Sequence, residues 1–141
     1  MKILVVDDHD LVREALRGVL KKLWPDALVL EASNGAKAMQ LVVEHPDLGL
    51  ILLDLSLPDR DGFAVLAELR ERYPAISIVV LSATEDRATV VNALDLGAAG
   101  FIPKSGQREV MLGALRLVFA GGRYIPPNSL RARSHCIPSL H

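Results

Sequence analysis

The chain alternates between two kinds of hydrophobic pattern. Short runs in which successive residues are apolar occupy 2–6, 27–31, 49–53, 76–81 and 99–102. Apolar residues at every position, rather than at every second one, suit strands covered on both faces. Between the runs lie amphipathic stretches. In 10–24, Leu11, Val12, Ala15, Leu16, Val19, Leu20 and Leu23 form one stripe, with Arg13, Arg17 and Lys21 turned away from it. Val110, Met111, Ala114, Leu115, Val118 and Phe119 repeat that spacing in 107–120, and 35–45, 62–73 and 86–96 are weaker versions. The order is strand then helix, five times over. It predicts an α/β fold with a parallel sheet and helices on both faces, and right-handed crossovers leave few topologies open.

Punctuation agrees with that division. Pro25, Pro46 and Pro74 each follow a helical stretch, where a helix must stop. Gly97 follows 86–96 and suits a left-handed C-cap, while Asn34 and Thr84 are candidate N-caps. From Gly121 the pattern changes: Pro126, Pro127, Asn128 and Ser129 read as an extended linker, and residues 131–141 have no periodicity. The expected division is a single domain over 1–122 and a linker or tail, disordered or truncated, over 123–141.

Composition narrows the class. At 141 residues and 50% apolar, the chain can build one real core without a metal or disulfide staple. The single cysteine, Cys136, cannot form an intrachain disulfide, which fits a reducing compartment. Sixteen basic against 17 acidic residues leave no surplus of positive charge for nucleic-acid phosphates. Asp7 and Asp8 interrupt the amino-terminal apolar run too early for a signal peptide, and no apolar run is long enough to span a membrane. The expected location is the cytoplasm.

In an open parallel sheet, ligands bind beyond the carboxyl ends of the strands. Asp7 and Asp8 follow the first run, Asp54 the third, Ser82 the fourth and Lys104 the fifth. A strand order of 2-1-3-4-5 would bring Asp7, Asp8 and Asp54 together. Two carboxylates about 4–5 Å apart repel by roughly 3–4 kcal/mol at an effective dielectric of 20. Such a group therefore calls for a cation, a proton or Lys104. Hard oxygen ligands with room for water favour Mg²⁺. A carboxylate beside Mg²⁺, an ammonium and a hydroxyl is a plausible phosphoryl acceptor, since aspartyl phosphate is an established covalent intermediate. Taken singly, Asp7 and Asp8 read equally as a helix N-terminus, Ser82 as a loop hydroxyl and Lys104 as a solvated charge. An acid ending the run Leu50–Leu53 is harder to dismiss, and five such residues at four strand ends are not an accident.

These segments resemble the receiver domain of two-component response regulators. The acidic pair Asp7–Asp8, the segment from Leu53 through Asp54 and Pro58 to Gly62, Ser82–Ala83, and Phe101 to Lys104 match its site motifs, over about residues 2–121. The resemblance implies a doubly wound, flavodoxin-like (βα)5 fold, and the strand order itself comes from it. It implies that Asp54 accepts a phosphoryl group from a sensor histidine kinase. Asp8, Asp54 and the Ser56 carbonyl would bind Mg²⁺, with Asp7 acting through water. Ser82 and Lys104 would contact the phosphoryl oxygens, and Ser82 and Phe101 would form a switch that reshapes the 86–120 face. The plain alternative for Phe101 is an ordinary core aromatic. Finer features, His9 to Arg17 and Ala120 to Pro126, resemble the NarL/FixJ (LuxR-type) subgroup, whose members regulate transcription through a helix-turn-helix DNA-binding domain. This chain stops where the linker to that domain begins, so the expectation is an output domain cut away, with a free-standing receiver as the alternative. A homodimer through the first or last helix, or the 86–120 face, is a further hypothesis.

Two departures stand out. Ser105 replaces the proline many receivers have after the lysine, and Pro103 precedes it; Ser56 and Thr84, at the positions that tune phosphoryl lifetime, are small and uncharged. Other readings fit less well. A haloacid-dehalogenase-type phosphatase wants an acid where Ser56 stands, and a flavin mononucleotide carrier would place its phosphate against Asp7 and Asp8. A constitutive binding module has no need of the full acceptor set. The expected protein is a switch, not an enzyme acting on an external substrate.

Overall fold

The computed structural model describes residues 1–84, 86–104 and 108–119, apart from the side chains of residues 108–110 and 119. The elements are β1 (Lys2–Val6), α1 (Asp10–Leu23), β2 (Leu28–Ala32), α2 (Gly35–Glu44), β3 (Leu50–Asp54), α3 (Gly62–Arg72), β4 (Ser77–Ser82), α4 (Arg87–Asp95), β5 (Gly100–Pro103) and α5 (Arg108–Phe119). All five strands are parallel, in the order β2-β1-β3-β4-β5. The expected doubly wound α/β fold is present. The expected boundary after residue 122, and the tail beyond it, lie outside the described residues.

The continuous apolar runs are explained by two cores, one on each face of the sheet. Leu4, Val6, Ile51, Leu53, Ile78, Val80 and Phe101 point to one side, where α2, α3 and α4 cover them. Ile3, Val5, Leu50, Leu52, Val79, Leu81 and Ile102 point to the other, against α1 and α5. Successive side chains alternate between faces, and both faces are dry, so the sequence shows no alternation.

The three prolines shape three equivalent connections. Trp24, His45 and Tyr73 each precede one, and each has left the helical region, with φ near −136°, −130° and −133°. Their N–H groups still donate to Leu20, Leu41 and Leu69, and their carbonyls accept from Ala27, Leu48 and Ile76. The same short turn thus feeds β2, β3 and β4.

Capping matches the sequence at one predicted N-cap and corrects the other. Asn34 caps α2, its side chain accepting from the Lys37 N–H. Thr84 does not cap α4. The helix begins at Arg87, so the cap falls on Asp86, whose carboxylate accepts from the Thr89 N–H, while the Thr84 hydroxyl donates to Asp86 at 2.8 Å. After α4, the Gly97 N–H donates to Leu94 and the Ala98 N–H to Ala93, the paired bonds of a Schellman cap. Gly97 has φ +101°, and a Cβ there would meet Arg70 Nε at 2.8 Å. Among the described residues no helix is long and apolar enough to cross a membrane. Gly97→Ala is expected to cost about 1–2 kcal/mol, from the strained backbone and the displaced Arg70, as a lowered midpoint in urea unfolding with little change in slope.

Candidate functional site

Backbone ladders carry the strand ends straight into the site. The Asp7 N–H, just past β1, donates to Ala32 of β2. Asp54 is the last residue of β3, in register with Leu81, and the Leu55 N–H extends that ladder to the Leu81 carbonyl. The Lys104 N–H, just past β5, donates to the Ser82 carbonyl at 2.8 Å. Sheet hydrogen bonds therefore fix Asp7, Asp54 and Lys104 from three strands.

Their side chains converge. The Lys104 ammonium lies 2.8 Å from Asp54 Oδ2 and 3.0 Å from Asp7 Oδ2. Both carboxylates are fully buried. Asp54 Oδ1 accepts from the Ser56 N–H, and Asp7 Oδ1 accepts from the His9 N–H. Asp7 Oδ2 has no aligned hydrogen-bond donor: the ammonium is close enough for an ion pair but not directed for a hydrogen bond. Asp8 sits at the rim, with Oδ1 3.2 Å from His9 Nδ1.

Burial raises the Asp54 pKa above the ordinary 3.8; bonds from Lys104 and Ser56 oppose this, and the Asp7 charge adds to it. Burial pulls Lys104 down, yet its hydrogen bond to Asp54, its close pairing with Asp7 and the charges of both acids outweigh that, so its pKa ends raised. Lys104 therefore stays an ammonium at neutral pH.

The residues fit a divalent cation. Ligand atoms of Asp7, Asp8, His9 and Asp54 all lie within 4.8 Å of one another, and one buried carboxylate oxygen is still without a hydrogen-bond donor. An oxygen-dominated set of this kind suits a hard ion such as Mg²⁺. The loop bearing Ser56 is closed by a bridge between Ser56 and Asp61 and by a Gly62 N–H bond to Leu55. A Cβ on Gly62 would fall 2.4 Å from Leu55 Cα, so only glycine fits. Asp59 of the same loop accepts from the Gly35 and Ala36 N–H groups at 2.8 and 3.0 Å, clasping it to the start of α2.

Ser82 is buried at the end of β4, and its Oγ accepts from the Thr84 N–H, as a loop hydroxyl would. Phe101 is fully buried beneath the site, within the core on the α2–α4 side. Lys104 reaches the acids although Ser105, outside the described residues, is not proline.

The response regulator receiver domain family model matches residues 3–116. The chain belongs to this family. It is 40% identical over 132 residues to the glycerol metabolism activator of Pseudomonas putida, covering 94% of this chain and 60% of that protein. The chain thus spans somewhat under two thirds of that relative. A LuxR-family two-component response regulator from an Aurantimonas species superimposes with a TM-score of 0.81 at 27% identity, covering 99% of this chain and 98% of that one. The isolated receiver domain of RcsB from Salmonella enterica serovar Typhimurium, solved in the presence of phosphomimetic BeF3−, gives a TM-score of 0.82 at 25% identity, covering 93% and 96%.

Sequence reasoning gave this receiver domain the acids and the lysine but missed their neighbours. His9 entered only as part of a motif, yet its Nδ1 lies 3.0 Å from Asp7 Oδ1 and 3.3 Å from Lys104 Nζ. Its place directly after the acid pair was the available signal. Arg13 turns away from the apolar stripe of α1 but does not face open water: it bonds the Asp7 carbonyl, Asp10 and Glu31. Nothing local marks Asp59 as the clasp on α2, because its partners lie 23 and 24 residues away.

Asp54 supplies a test by pH. An acid whose folded pKa is raised binds its proton more tightly in the native state, so the native state gains stability as pH falls through that pKa. Without divalent metal, Asp54→Asn is expected to be more stable than wild type at pH 7 by about 1 kcal/mol, roughly 3–5 °C in melting temperature. The gap should close as the pH falls through the folded pKa of Asp54, as differential scanning calorimetry across pH would show.

Proposed function

We propose that this receiver domain accepts a phosphoryl group on Asp54 from the phosphohistidine of a sensor kinase, and that the acylphosphate switches the surface formed by α4, β5 and α5. The observation that supports this reading best is the ammonium of Lys104, paired with both buried carboxylates at the carboxyl edge of the sheet. A carboxylate oxygen of Asp54 attacks phosphorus, the bond to the donor imidazole nitrogen breaks, and its electron pair leaves with that nitrogen. Asp8, Asp54 and the Ser56 carbonyl would hold Mg²⁺, with Asp7 behind them. When bound, that ion supplies positive charge against the oxygens of the transferring group.

Lys104 already faces the acceptor oxygen and neutralises a second phosphoryl oxygen. Ser82 keeps its hydroxyl proton, since its oxygen accepts rather than donates in the bond with Thr84. It is therefore able to donate to a third. Ser82 drawn towards Asp54 leaves room above the core, and Phe101 moves to fill it. The domain is not an enzyme on an external substrate; it promotes only its own phosphorylation and dephosphorylation. In the whole protein, the switched face controls a DNA-binding output domain or a homodimer, in the cytoplasm, in keeping with relatives that regulate transcription.

The first test is the intact mass after incubation with Mg²⁺ and a small acyl phosphate. One added phosphoryl group is expected in wild type, with none in Asp54→Asn and none when the metal is chelated. No adduct in wild type, together with no response to a beryllium fluoride mimic, would sink the reading and favour a constitutive binding module.

A further inference from the structure

Sheet hydrogen bonds fix Asp7, Asp54 and Lys104, but they do not reach Asp8. It follows β1 in a bend, and its own N–H and carbonyl take no part in the backbone bonds of the described residues. The His9 N–H donates to Asp7 Oδ1 at 2.8 Å, closing a side-chain turn around Asp8. The middle peptide of such a turn, here Asp7–Asp8, can face either way, as it does in types I and II. Flipped, it would carry Asp8 to positive φ, which no described residue other than glycine adopts. One side chain holds that peptide. The Arg13 guanidinium donates to the Asp7 carbonyl, to Glu31 Oε1 of β2 and to Asp10. Arg17 donates to the other Glu31 oxygen at 2.7 Å.

We propose that Arg13 is a positioning residue: it locks the Asp7–Asp8 peptide in one orientation and so sets where the Asp8 carboxylate stands. Glu31 anchors the guanidinium to the sheet, since it lies in register with Val5, two residues before Asp7. A planar fork meets several acceptors at once, which an ammonium on a flexible stem does poorly. Arg13 and Glu31 also border a polar cavity of about 330 Å³, lined by Ser33, Asn34 and Lys37 as well. Truncating Arg13 therefore enlarges a polar space and leaves both apolar cores intact. The effect on a bound ion rests on the assignment of Asp8 to Mg²⁺ in the proposed function. The hold on the peptide needs no ion.

The test compares Arg13→Ala with Arg17→Ala in the full chain. Arg17 shares Glu31 with Arg13 but, among the described residues, bonds nothing in the turn. In the metal-free protein, NMR relaxation is expected to show the Asp8 backbone order parameter falling from about 0.85 towards about 0.6 in Arg13→Ala and unchanged in Arg17→Ala. Calorimetric titration should show Mg²⁺ affinity lowered about tenfold in Arg13→Ala and kept within about twofold in Arg17→Ala. Coulomb's law alone gives the opposite sign, because removing a positive charge beside the pocket tightens cation binding. Arg13→Lys keeps the charge and should lose most of the same order and affinity; it carries the test if Arg13→Ala does not fold. An Asp8 as ordered without Arg13 as with it, equal effects of the two alanine variants, or tighter Mg²⁺ binding in Arg13→Ala overturns the inference. If wild type binds no Mg²⁺, the metal reading of the proposed function fails, and the order of Asp8 alone decides the positioning role.

Discussion

The buried ion pairs of Lys104 with Asp54 and Asp7 are the constraint on which the site depends. Two carboxylates with no solvent exposure stand at the ends of otherwise apolar strands. Desolvating even one such charge costs several kcal/mol, and removing its partner leaves that cost uncompensated. One ammonium between them offsets part of it, and Asp8 at the rim adds a third acid. Three carboxylates against one ammonium leave two formal negative charges in a space a few ångströms across. A divalent cation matches that deficit. The protein thus folds with a standing electrostatic demand of the kind a divalent cation answers.

The demand is tolerable only because the surrounding backbone is fixed. Asp7, Leu55 and Lys104 all donate their N–H groups to a neighbouring strand end, so the sheet ladder runs through the site. The β3–α3 loop is held more firmly still, by the Ser56–Asp61 bridge, the close approach of Gly62 to Leu55, and the Asp59 clasp on α2. The N–H bonds from Gly35 and Ala36 lower the Asp59 pKa, which keeps the clasp ionised at neutral pH. A carbonyl offered to a metal from such a loop needs no reorganisation.

What was legible in the sequence follows from how local each cause is. Strands read directly, because Val-, Ile- and Leu-rich runs are what burial on both faces demands. The acids and the lysine read well too, since together they cluster just past the ends of such runs, although each taken singly has a plainer reading. Asn34 and Gly97 were legible because a cap depends on residues within one turn. Thr84 misled for a related reason: it and Asp86 both offer a capping oxygen, and the choice between them depends on where α4 starts. Strand order and the Asp59 clasp were not readable from local pattern, because they join segments far apart in the chain. His9 escaped because helix entry accounts for a polar residue there, and only the fold shows its ring turned back onto the acids.

The two loops that flank Asp54 differ in how they are tied, and that difference bears on how a charge there is transmitted. On the β3 side, bridge, glycine contact and clasp act together, so a new charge meets a rigid wall. On the β4 side, the bond shown for the Ser82 hydroxyl is the one from the Thr84 N–H. A neutral hydrogen bond of this kind is worth about 0.5–1.5 kcal/mol, whereas a bond to an ionised oxygen is worth about 1.5–3. Exchanging the first for the second is favourable, so in the proposed switch an anionic group on Asp54 moves Ser82 rather than Ser56. Phe101 lies directly in the core below, fully buried, in a close-packed interior that does not hold voids. In the proposed switch, motion therefore passes through β4 to the surface of α4, β5 and α5, because that side yields at the lower cost.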